Sequence, residues 1–104
     1  MNLDDVTVKQ DEEAQRFQAI VGGQRALVTY RRSPGHITFL HTEVPPALEG
    51  QGLAAKLVRA ALAFARAQHL QVIPLCPYVS NFICRYREYQ DLVSAEQLQK
   101  MLSR

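Results

Sequence analysis

From Arg16 to Val44 apolar and polar residues alternate with a period close to two. From Leu53 to Arg66 apolar residues instead recur every three or four positions, so the rhythm changes midway along the chain. In the first half, Val6 and Val8 stand between polar neighbours and predict a short opening strand. Phe17, Ala19 and Val21 alternate with Arg16, Gln18 and Ile20, a second strand running to Gly22-Gly23. Two glycines tolerate the positive φ angles of a two-residue hairpin. Ala26, Val28 and Tyr30 supply the return strand, and Ser33-Pro34-Gly35 the next turn. A fourth strand covers His36 to Val44. This half predicts an antiparallel meander.

The second half reads differently. Leu53, Leu57, Ala60, Ala61 and Phe64 form one helical stripe, with Lys56, Arg59, Ala63 and Arg66 on the opposite face. The alanines favour the helix and allow close approach to a sheet. Leu70 to Leu75 predicts a buried strand, parallel to the fourth because a helix makes the crossover. A short helix from Tyr78 to about Arg87 follows, and Ser94 caps an amphipathic helix bearing Leu98, Met101 and Leu102. With no linker or repeat, residues 1–104 form a single domain. The predicted class is α/β of the α+β kind: a mixed, mostly antiparallel sheet with one βαβ crossover and flanking helices.

Composition narrows the function. At 104 residues and 47% hydrophobic content the chain supports one core. A net charge of +2, with aromatics not interleaved with Arg31, Arg32, Arg85 and Arg87 in any RNA-reading pattern, gives no nucleic-acid footprint. No apolar run approaches a membrane span, and Met1-Asn2-Leu3-Asp4-Asp5 is no signal-peptide core. Cys76 and Cys84 form no C-x-x-C pair, and His36, His41 and His69 are scattered, so no metal site is expected. The chain reads as cytoplasmic, with reduced thiols.

The most specific stretch runs from Val44 to Val58: a strand, two prolines, a loop containing Gly50 and Gly52, then a helix. Such a junction aims backbone N–H groups at one spot near the positive end of the helix dipole, a seat for phosphate. On the glycines alone, an ordinary strand-to-helix turn is the plainer reading. The spacing is not that of a Walker loop. Nor is it a dinucleotide fingerprint, because Ala55 takes the third glycine's place and Gln71 to Leu75 lacks an acidic residue. It does match [QR]-x-x-G-x-[GA] over Glu49-Gly50-Gln51-Gly52-Leu53-Ala54, except that Glu49 replaces the Gln or Arg.

That pattern resembles the acetyl-CoA loop of the GNAT N-acetyltransferase superfamily. With His41 to Pro45 and Val72 to Val79, the chain from Val6 to Leu92 is similar to a small single-domain GNAT subfamily. The resemblance implies that acetyl-CoA or CoA is held by Val44, Glu49, Gly50, Gln51, Gly52, Leu53, Ala54 and Ala55, with Ser80 and Asn81 at the pantetheine amides. It also implies that the fourth and fifth strands splay apart to admit the pantetheine arm.

Acetyl transfer needs a polarised carbonyl, a base for the amine and a proton for the departing thiolate. A backbone N–H near Val44 suits the first task. Glu43 is the candidate base, placed by strict alternation on one face with Phe39 and His41; His41 is the second choice. Cys76 is either a nucleophile or a small residue lining the cofactor slot, and no basic residue adjoins it in sequence. Tyr78 fits the general acid, with Tyr86 as the alternative. Two functional readings follow. One is an acetyl-CoA-dependent N-acetyltransferase acting by direct transfer on a small-molecule or peptide amine; the other is a CoA-binding module with little or no catalysis. Neither the acceptor nor the oligomeric state leaves a signature in the sequence.

Overall fold

The computed structural model describes residues 1–103. Five strands form one sheet in the order of the chain: β1 (Lys9–Asp11), β2 (Arg16–Val21), β3 (Gln24–Ser33), β4 (His36–Glu43) and β5 (Gln71–Pro74). The first four pair antiparallel, and β5 runs parallel to β4. Helix α1 (Leu53–Ala67) makes the crossover, and α2 (Pro77–Arg85) and α3 (Ala95–Leu102) complete the fold. The meander, the crossover and the Ser94 cap, whose hydroxyl accepts from the Gln97 N–H at 3.1 Å, stand as the residue pattern implied.

Three local expectations are corrected. The opening strand is not at Val6 and Val8: Asn2 accepts from the Asp4 N–H at 3.0 Å and holds a 3-10 turn over Leu3–Asp5, so pairing starts at Lys9. That side-chain bond offers the backbone an alternative to a strand. Helix α2 ends at Arg85, two residues early, because Tyr86 is extended; a 3-10 segment, Arg87–Leu92, follows. Leu102 is exposed, and α3 buries Met101 instead.

One irregularity governs the site. Tyr30 pairs with Phe39 but Thr29 pairs with His41, leaving Leu40 as an extra residue in β4. A bulge of this kind reverses which face later side chains occupy relative to strict alternation. Before it, Ile37 and Phe39 point into the core. After it, Thr42 lies opposite buried Val28 on the core face, while His41 and Glu43 lie opposite Thr29 and Leu27 on the other. Glu43 therefore shares a face with His41 but not with Phe39. Burying two ionisable groups beside Phe39 would be costly, and the bulge removes that conflict.

The buried side chains of all three helices form one cluster with Phe17, Val28, Ile37, Phe39 and Val72. All the helices thus cover one face of the sheet. The opposite face, carrying Gln18, Leu27, Thr29, Thr38 and Ile73, has no helix over it among the described residues.

Candidate functional site

β4 and β5 stay paired from His36 with Gln71 to Phe39 with Pro74, and the Cys76 N–H donates to the Phe39 carbonyl at 2.9 Å. Beyond that point β5 ends, Pro77 starts α2, and Leu40 to Glu43 keep only β3 as a neighbour. The strands part here, leaving one side of β4 without a strand partner.

At the far end of β4, Pro46–Leu48 forms a 3-10 turn closed by the Glu49 N–H to the Pro46 carbonyl. The next main-chain bond is from the Lys56 N–H to the Gly52 carbonyl, 3.1 Å. Between them, the N–H groups of residues 50–55 meet no acceptor among the described residues. Gly52 makes this possible: it sits at φ 85°, ψ 8° as the N-cap of α1, a conformation open to glycine at little cost. The loop is braced from behind. A Cβ on Gly52 would lie 3.0 Å from Leu3 Cδ1, and Lys56 Nζ donates to the Leu3 carbonyl.

Above the loop lies a cavity of about 230 Å³ lined by Val44, Leu48, Glu49, Gly50, Gly52, Leu53, Ala54, Ala55 and Tyr78. Seven of the eight residues named for the loop contact, all but Gln51, face it together with Tyr78. Gln51 turns back to the Ala47 carbonyl at 3.5 Å. A second cavity, about 320 Å³, adjoins the first through Ala55 and Tyr78 and adds Asn81, Phe82, Arg85 and Tyr86. Burial raises the Tyr78 phenol above its usual value, more than Arg59 and Arg85 nearby lower it.

The remaining candidates separate. Cys76 is buried, with Sγ 3.2 Å from Thr42 Oγ1, so the thiol and a strand hydroxyl meet at the point where β4 and β5 part. Glu43 lies on the helix-free face, its Oε2 3.7 Å from His41 Nε2, both side chains 65% exposed. Ser80 is 2% exposed within α2 and lines neither cavity, so it is not brought to the cleft; Asn81 is. Thr42 is not among the residues that strict alternation singles out. The signal was present in His41 and Glu43, two ionisable residues that strict alternation would have buried beside Phe39, which puts Thr42 inward instead.

The residues present fit a phosphorylated, amide-bearing ligand: uncommitted N–H donors on a positive-φ loop at a helix N-terminus, beside an open strand edge. A model of the family described as GCN5-related N-acetyl-transferase matches residues 16–92. Over 81 residues the chain is 33% identical to Protein NATD1 of Bos taurus, an alignment covering 75% of this chain and 72% of that protein. The match to Protein NATD1 of Mus musculus is 32% over the same length, covering 74% of that protein. The NMR solution structure of a GCN5-like protein from Staphylococcus aureus superposes with a TM-score of 0.68 at 30% identity, over 85% of this chain and 87% of that one.

Proposed function

This chain belongs to the GCN5-related N-acetyltransferase family, and on that premise we propose that it is an acetyl-CoA-dependent enzyme that transfers acetyl directly to an amine. The observation that carries the reading is the run of main-chain N–H groups at residues 50–55 with no acceptor among the described residues. Orphan donors at a helix N-terminus suit a pyrophosphate. Acetyl-CoA supplies the activated acyl group when bound.

The chain's own residues then divide the work. Residues 50–55 hold the pyrophosphate, and Val44, Leu53 and Ala54 line its cavity. The unpaired side of β4 offers backbone groups to pantetheine amides, and the N–H near Val44 to the thioester carbonyl. Glu43, with His41 beside it, accepts the proton of an ammonium arriving over the helix-free face. Tyr78 keeps its proton well into alkaline pH, as a donor to a leaving thiolate must. Cys76, hydrogen-bonded to Thr42, sits buried where β4 and β5 part and takes no covalent role. One observation favours the rival reading of a CoA-binding module: Glu43 and His41 are both largely in water, which competes for each of them.

Calorimetry with CoA and acetyl-CoA, then an amine panel with free-thiol detection, separates the two readings. Direct transfer predicts binding of both ligands and amine-dependent thiol release that survives in Cys76→Ala, with Cys76→Ser near wild type. An acetyl adduct on Cys76, seen by intact-mass spectrometry and passed on to an amine, overturns direct transfer. Tight CoA binding without any acceptor establishes the module.

A further inference from the structure

Tyr78 and Phe82 are four residues apart on one ridge of α2, and Tyr86 follows at the same spacing just past the helix end. Their rings form a continuous shelf, with centroids 6.3 Å apart for Tyr78–Phe82 and 4.6 Å for Phe82–Tyr86. Two guanidinium groups lie on it. Arg59, reaching across from α1, sits 5.2 Å from the Phe82 centroid and 5.3 Å from that of Tyr86; Arg85 sits 5.5 Å from Tyr86.

The charge of these two groups is not neutralised. Among the described residues Arg66 and Lys100 have carboxylate partners, whereas Arg59 and Arg85 have none, and no acidic residue lines the cavity beside them. A guanidinium held by its face on an aromatic ring keeps its N–H donors at the edge, free to grip an anion. Stacking also limits its rotamers before any ligand arrives, which lowers the ordering cost of binding.

The loop itself lacks a free cation. Its one side chain of acidic type, Glu49, is exposed, and Lys56 is engaged by the Leu3 carbonyl. CoA carries a pyrophosphate and, on its ribose, a 3′-phosphomonoester beside an adenine. With the pyrophosphate on the loop amides and the pantetheine arm toward the parted strands, the nucleoside end has the adjoining cavity through Ala55 and Tyr78 as its way out. Resting on the CoA reading above, we propose that Arg59 and Arg85, on the Phe82–Tyr86 shelf, form the subsite for the 3′-phosphoadenosine of CoA and make the chain select CoA over dephospho-CoA.

Calorimetric titration of the full chain with CoA and with dephospho-CoA tests this. Charge-assisted hydrogen bonds to the phosphate should make CoA bind at least about tenfold tighter than dephospho-CoA. The double variant Arg59→Gln/Arg85→Gln should lose that preference while still binding dephospho-CoA, which also reports that it has folded. Arg31→Gln, an exposed arginine on the helix-free face, should keep the preference. Equal affinity of wild type for both ligands overturns the subsite and leaves the CoA reading standing. So does a preference that survives in the double variant, or one lost equally in Arg31→Gln. Failure of wild type to bind either ligand overturns both.

Discussion

The loop wall, residues 50–55, presents main-chain N–H groups that meet no acceptor among the described residues, whereas the strand wall, β4 beyond Leu40 with Cys76 beside it, adds to its open backbone edge a set of side chains. The loop's donors are fixed by backbone geometry at Gly52 and by the brace of Leu3 and Lys56 behind it. Many side chains can occupy such a loop without changing what it offers. On the strand wall, what is presented depends on which way each side chain faces, and one extra residue at Leu40 decides that for Thr42, His41 and Glu43 together. A wall of backbone is set by torsion angles; a wall of side chains is set by register.

Deleting Leu40 tests the register most severely. Removing the bulge would carry His41 and Glu43 to the core face and turn Thr42 away from Cys76, because a one-residue slip exchanges the two faces of a strand. Burying those ionisable groups without partners should cost about 3 kcal/mol or more. Chemical denaturation should show severe loss of stability or no folded state. A deletion variant as stable as wild type would show that the bulge does not set the facing of this wall.

Gly52→Val breaks the other wall by a torsion instead. A β-branched residue at φ 85° is strained by roughly 1–2 kcal/mol, and its Cβ would press on Leu3 Cδ1 at 3.0 Å. The Leu3 end is flexible and can shift, so a weakened fold should persist. The reshaped loop should lose CoA affinity by at least about tenfold, by calorimetry at a temperature where the variant is folded. Unchanged affinity would remove the main-chain cradle from the account.

The same contrast explains what the chain discloses before it is folded. The strand–loop–helix junction was legible because Gly50 and Gly52 stand between an alternating strand and a helical stripe, and the meander because period-two alternation is hard to mimic. The strand wall was half legible. Glu43 and Cys76 stood out by residue type and place, but strict alternation through Phe39 and Leu40 placed Glu43 on the wrong face relative to Phe39 and hid Thr42. Bulges are settled by pairing with a neighbouring strand, Thr29 and Tyr30 here, which lies outside the local pattern. Ser80 illustrates a second limit: its residue type suited an amide contact, yet the turn of α2 buries it. The arginine shelf needed α1 and α2 side by side, since Arg59 and Phe82 are brought together only by their packing.

The smallest expected effect lies at the other end of α1, where Arg66 makes a two-point contact with Asp91, at 2.8 and 2.9 Å, and also donates to the Glu88 carbonyl. The hydrogen bond from Arg66 holds the Asp91 carboxyl below its ordinary 3.8. A carboxylate whose value is lowered by folding contributes stability that is present above the unfolded value and lost as pH falls through the folded one. The pair is exposed and screened, so Asp91→Asn should lower Tm at neutral pH by no more than a few degrees. The gap to wild type should close as the pH is taken below the usual carboxylate range, where Asp91 is protonated in both folded and unfolded chains. CoA affinity should not change, because neither residue lines the cleft cavities. Melting curves across acidic pH, with a CoA titration at neutral pH, check both expectations. If Asp91→Asn weakens CoA binding, α1 transmits strain along its length to the Gly52 end, and the loop wall is not set by its local torsions alone.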